Sequence, residues 1–245
     1  MSERPKDTPT NPPLIRPAGG PGAVAPVKKK IPGGEFTEAE DTAVLAPSLA
    51  AAFLNCGVDR LHRGEASAAI GDFAEAIKID PTLARAWCLR GYAYAISLDF
   101  TRSLADLRKA LELGLSGNHE DNAWLRLWVV RARIGDVVLA TKDLNGHFSK
   151  RVDPPPAQWV RRIAAFLGGS VPEKEFLADI EGEVIAASAE RSCEAWYFAG
   201  QKRLVAGDRL GAKSAFERSV GAGAKAISAW SGSRAELLSF HTAKK

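Results

Sequence analysis

Apolar and small residues along this chain recur at helical spacing, and the pattern itself returns every 34 residues. Two adjoining blocks, 50–83 and 84–117, align at that period. Counted within its block, the first carries Gly57 at position 8, Gly64 at 15, Ala69 at 20, Phe73 at 24, Ala76 at 27 and Pro81 at 32. The second carries Trp87 at 4, Gly91 at 8, Tyr94 at 11, Ser103 at 20, Leu107 at 24 and Ala110 at 27. A further copy over 193–226 places Trp196 at 4, Gly200 at 8, Gly207 at 15, Ala212 at 20, Phe216 at 24 and Ser219 at 27. Residues 121–144 form a degenerate copy, with Trp124, Gly135, Ala140 and Leu144 in register but Trp128 at position 8.

Each block predicts two antiparallel helices, neither able to bury its apolar face alone. Small residues at positions 8, 20 and 27 let the helix backbones approach, and large ones at 4, 11 and 24 fill the remaining space. Trp128 predicts wider packing in the degenerate copy. Gly64 opens the turn within the first block, and Asp80-Pro81 ends its second helix and starts the next.

Between 145 and 192 the period is lost. Asp153-Pro154-Pro155-Pro156 is a break. A short helix is expected over 158–167, ending at Gly168-Gly169. Ser170-Val171-Pro172-Glu173 starts another, whose apolar stripe runs through Phe176, Leu177, Ile180, Val184 and Ile185. Thr37-Glu38-Ala39-Glu40 is a capping box ahead of the first helix. No stretch alternates with the period of two that strands require. The expected fold is all-α: an αα-hairpin solenoid over 37–245 with a helical insertion at 157–190.

Composition adds a tail to this picture. Residues 1–36 hold eight of the 14 prolines and five glycines. Such a segment buries too little apolar surface to offset its chain entropy, so a disordered N-terminal tail is expected. The tail also holds six Lys/Arg against three Asp/Glu, most of the net charge of +4. The helical part is close to neutral, unlike a nucleic-acid binder with one basic face. Lys28-Lys29-Lys30 reads as part of a solvated linker.

Candidate chemistry is sparse. Cys56, Cys88 and Cys193 are odd in number and lack CxxC spacing, so they read as small buried hydrophobes rather than disulfide or zinc ligands. Neither His62, His119, His147 nor His241 has a metal-spaced partner. P-loop, Rossmann, G-x-S-x-G and H-E-x-x-H patterns are absent. The expectation is a chain without catalytic residues, cofactor or metal. The polar, Pro-rich start is not a signal peptide. The apolar stretch 43–58 is too short and interrupted to span a bilayer, and Asn55 before Cys56 does not suit a lipoprotein cleavage site. As written, the chain is expected in the cytoplasm; a start site further upstream would move it to the periplasm or the outer membrane.

The 34-residue pattern resembles that of the tetratricopeptide-repeat (TPR) family, W-x2-L-G-x2-Y followed by A-x3-F, A and P. That resemblance implies a concave groove lined from positions 2, 5, 9, 12 and 13 of each first helix. In this chain the implied partner-binding residues include Leu54, Val58, His62, Arg85, Tyr92, Ile96, Leu125, Val129, Arg133, Tyr197 and Gln201. Leu61, Cys88, Asn122, Glu194 and Leu204 fall at groove positions as well. The co-chaperone type of TPR holds a C-terminal carboxylate with Lys and Asn at positions 5 and 9, where this chain has Leu54 and Val58. A mostly apolar peptide or an amphipathic helix is the expected occupant; an adjacent helix of the chain could also fill the groove.

A finer resemblance is to NlpI-type bacterial TPR proteins, carried by residues 123–128, 163–168, 193–201, Gly207-Asp208 and 215–220 in the same order and spacing. It implies a dimeric, non-catalytic adaptor of the cell envelope that brings a peptidoglycan hydrolase to its protease. An RNA-binding helical repeat is the alternative function.

Overall fold

The computed structural model describes residues 38–149, 158–181 and 188–242. The expected tail at 1–36, the Lys28–Lys30 run, the Pro154–Pro156 break, and Val184 and Ile185 lie outside the described residues, as does Thr37 of the capping box. Among the described residues every regular element is a helix. In order they are α1 (Glu38–His62), α2 (Ala66–Ile79), α3 (Ala84–Ile96), α4 (Phe100–Glu112), α5 (Gly117–Arg133), α6 (Val137–Ser149), α7 (Gln158–Leu167), α8 (Glu173–Glu181), α9 (Ala189–Val205), α10 (Arg209–Gly221) and α11 (Ser228–Thr242). The chain forms the all-α hairpin solenoid that its periodicity implies: α1 packs on α2, α3 on α4, α5 on α6 and α9 on α10.

The repeat positions have a direct physical basis. A Cβ added at Gly57 would lie 2.5 Å from the Phe73 ring, and one at Gly200 would lie 2.5 Å from Phe216. Gly91 meets Leu107 in the same way, at 3.0 Å. Only a residue without a side chain lets the position-24 group seat against the opposing backbone. At Trp128 the indole is buried instead and donates to Thr141 Oγ1 at 2.9 Å, which keeps α5 and α6 from so close an approach.

The turn inside each pair follows one recipe. Gly64, Gly135 and Gly207 have φ of +79°, +93° and +84°, and Leu98 occupies the equivalent place at φ +60°. In two of the pairs the next residue caps the following helix: Asp99 accepts from Arg102 N at 3.0 Å, and Asp208 from Gly211 N at 2.8 Å, whereas Glu65 makes no side-chain cap. Between pairs, Asp80 ends α2, but Pro81 sits in the exposed turn rather than in the first turn of α3, which begins at Ala84. There the Asp80 carboxylate takes the Thr82 amide and hydroxyl, and Pro81 O accepts from Trp87 Nε1 at 2.9 Å.

An ion pair ties the two helices of three pairs together. Arg60, Arg90 and Arg131 reach Asp72, Asp106 and Asp143, at 2.7, 2.7 and 2.6 Å. Each aspartate directly precedes the large position-24 residue.

The core is layered along the array, as expected when each pair buries its face on its neighbours. One cluster joins α1, α2 and α3 around Phe73 and Ile96. A second joins α3, α4 and α5 around Cys88, Leu107 and Val130. The largest runs from α5 to α11 and includes Leu125, Phe166, Phe176, Phe198 and Phe216. The insertion belongs to it: Phe166 of α7 stacks on Phe176 of α8, with ring centres 4.3 Å apart. Cys56 corrects one expectation. Cys88 and Cys193 are buried, but Cys56 is exposed, because α1 ends the described array and its outer face meets no further helix.

Candidate functional site

The first helices of the pairs, α1, α3, α5 and α9, all contribute residues to one cavity. The periodicity alone did not mark α11 as a separate element, yet α11 packs across these first helices. It follows α10 and packs back on α9, α3 and α1. Its Gly232 lies against the Tyr197 ring, where an added Cβ would come within 2.8 Å. Ser233 donates to Ser219 Oγ at 2.8 Å. Glu236, buried, accepts from Gln201 Nε2 at 3.0 Å and from Arg133.

The groove residues expected from the sequence therefore divide into two groups. Val58, His62, Tyr92 and Ile96 line one cavity of about 450 Å³. Most of the others are engaged within the fold. Leu54 of α1 is in the core that α1 forms with α2 and α3. Leu125 and Val129 are each 1% exposed in the largest core. Arg133 and Gln201 hold Glu236, and the Tyr197 hydroxyl accepts from Arg126. Arg85 is exposed and stands apart from the cavity lining.

The cavity is built from α1, α3, α5, α9 and residues 226–229 at the start of α11. Exposed His62, His119 and Ala226 mark its mouth. Its floor is buried and mostly apolar, through Leu61, Ile96, Phe198 and Ala229, with Arg126 among them. Arg126 is 6% exposed. Its Nη1 donates to Tyr197 Oη at 2.7 Å and its Nη2 to Ser228 Oγ at 2.6 Å. The guanidinium lies over the rings of Tyr92 and Tyr197, about 5 Å from each centre. Burial opposes its charge, and Tyr197, Tyr92 and Glu194 outweigh that to hold its pKa up. Among the described residues Arg126 forms no ion pair.

Besides Arg126, the lining includes His62, Tyr92, His119, Asn122, Glu194 and Ser228. The Tyr92 ring lines the cavity, and its hydroxyl is buried beside the Cys88 thiol. Glu194 lines the cavity, but its carboxylate accepts from Trp159 Nε1 at 2.8 Å. Burial pushes the Glu194 carboxyl above its ordinary range, against the Trp159 bond and the Arg126 charge. Burial likewise pushes the Cys88 and Cys193 thiols up to about 11, which keeps both neutral near pH 7. Among the described residues no group of three or more His, Cys, Asp or Glu is placed to hold a metal ion. None of the described helices is long and apolar enough to cross a membrane.

Sequence reasoning passed over Arg126, His119, Phe198 and the start of α11. A signal existed for two of these. Arg126 is the one charged residue in the apolar run 123–130, and Trp230 falls 34 residues after Trp196.

No family model matches the chain, and no curated protein sequence matches it. Two solved structures are similar to it at low identity. One is YrrB, described as a TPR protein with an unusual peptide-binding site: 17% identity, TM-score 0.41, covering 79% of this chain and 96% of that one. The other is the APC/C hetero-tetramer Cut9-Hcn1: 15% identity, TM-score 0.47, covering 81% of this chain and 43% of that one.

Proposed function

We propose that this chain is a non-catalytic protein-interaction scaffold that receives a partner segment on the open part of its concave face. The observation that carries the reading is the convergence of Val58, His62, Tyr92 and Ile96, from α1 and α3, on one cavity with a solvent-exposed mouth. Arg85, exposed at the start of α3, is a further candidate contact outside the cavity. The rest of the groove is already occupied by α11, so the accessible length suits a short apolar segment or one face of a helix rather than a long peptide. The order and spacing of segments shared with NlpI-type TPR proteins support a narrower reading, a dimeric adaptor linked to envelope or peptidoglycan-enzyme regulation.

The test is site-specific photo-crosslinking in the native host. A crosslinker in place of Val58 or His62 is expected to capture a defined protein. The same group in place of Lys78, exposed on α2, is expected not to. Val58→Glu should abolish the His62 adduct. Equal capture from α2, or adducts indifferent to Val58→Glu, would contradict the proposal.

A further inference from the structure

A guanidinium that is 6% exposed and has no carboxylate partner is unusual, because a buried charge is costly unless it is paired. Here the compensation comes from two hydroxyls and two aromatic rings. Those contacts use two of the five N–H donors an arginine carries. The side chain also lines a cavity rather than solid core. Beside it, the Tyr92 ring contributes to the wall while its hydroxyl is buried against the Cys88 thiol. A buried guanidinium with donors to spare on the wall of a cavity points to an anionic ligand.

The surroundings limit its chemistry. Arg126 is the single arginine or lysine on the cavity wall, and Glu194 is also there. A dianion such as a phosphate monoester would meet too little positive charge, whereas a monoanion is matched by one guanidinium. The remaining wall is largely apolar, through Val58, Leu61, Leu89, Ile96, Phe198 and Ile227. A volume of about 450 Å³ falls within the range of small-ligand pockets.

We infer that the cavity is a binding site for a monocarboxylate joined to an apolar group. The carboxylate is held by Arg126, and the apolar body lies against α1 and α3. The site rests on the cavity being the open part of the concave face, and not on the identity of any protein partner. Ser228 and Ala229, which open α11, close one side of the cavity, so the ligand touches the helix that covers the groove.

Titration calorimetry and thermal shift on the full chain test this. The probes are octanoate and 3-phenylpropionate, with octanamide and 3-phenylpropionamide as uncharged matches. A second arm uses acetyl-Leu-Phe with a free or an amidated C-terminus, which separates a free acid from a chain end as the natural source. At least one carboxylate is expected to bind roughly tenfold or more tightly than its amide, the loss of one charge-assisted bond. Arg126→Gln should remove that preference.

Because Arg126 also bonds to Tyr197 and Ser228, two further variants guard against misfolding. Leu89→Trp fills the cavity and should abolish binding with Arg126 intact. His62→Glu, at the exposed mouth, should weaken carboxylate binding and spare the amides. Equal binding of acids and amides, or no binding of any acid in either arm, overturns the inference. Cross-links from Val58 or His62 would in that case still stand for the scaffold.

Discussion

Glu236→Ala is the sharpest perturbation the fold offers. Glu236 is 2% exposed and accepts from Arg133 and Gln201, which come from α5 and α9. Truncation leaves the Arg133 guanidinium with Gln201 Oε1 at 2.9 Å and the face of Phe100 as partners. It also leaves the Gln201 amide, itself 2% exposed, without its acceptor. Removing one member of a buried pair costs about 3–5 kcal/mol, most of it from the stranded charge. The Arg133 side chain keeps 19% exposure, so the lower end, about 3 kcal/mol, is expected. For a domain of this size that is a fall in Tm of roughly 6–12 °C. Urea unfolding followed by circular dichroism gives the magnitude, and hydrogen exchange at α11 amides shows where opening begins. Arg133→Leu combined with Glu236→Leu should recover most of the loss, because neither charge is then stranded. The reasoning is refuted if Glu236→Ala stays within about 0.5 kcal/mol of the parent, or if the double variant is no better than the single.

Three further outcomes are expected. Gly200→Ala should destabilise by about 1–3 kcal/mol in chemical unfolding, since its Cβ would meet the Phe216 ring, while Gly71→Ala on exposed α2 should gain about 0.5–1 kcal/mol. Leu98→Gly relieves a left-handed residue at about 1–2 kcal/mol, less about 0.4–1 kcal/mol of unfolded-chain freedom, so a small rise in Tm is expected and a fall would contradict the turn analysis. Glu194 has a raised folded pKa, so the folded state holds its proton more tightly than the unfolded one, and stability is lost as pH rises from its unfolded value of about 4.5 through the folded pKa. Comparing thermal melts at pH 4.5 and 7.5, Glu194→Gln should gain on the parent at the higher pH; an equal difference at both would contradict this.

What the sequence made legible was local and periodic. The pairing of Gly57 with Phe73 and of Gly200 with Phe216 is a matter of register within one hairpin, and the spacing alone announces it. Helix α7 coincides with its expected span because a proline run and a glycine pair bracket it. What stayed hidden depends on distant partners. Arg126 meets Tyr197 and Ser228, which are 71 and 102 residues away. Helix α11 lacks the small position-8 residue of the repeat, having Arg234 there, so nothing periodic beyond Trp230 marked it. Its packing across α1, α3 and α9 brings Glu236 to Arg133 and Gln201, a contact no local pattern encodes. For that reason the groove positions counted from the repeat divided into an accessible set and a set sealed by the chain itself.

The open part of the concave face, and not the outer face, is proposed to receive the partner. Photo-crosslinking from Val58 or His62 beside Lys78 measures this most directly. The account predicts one defined adduct from the two concave positions, lost in Val58→Glu, and none from α2. Adducts from α2 at the same yield, or a concave adduct that survives Val58→Glu, would contradict it.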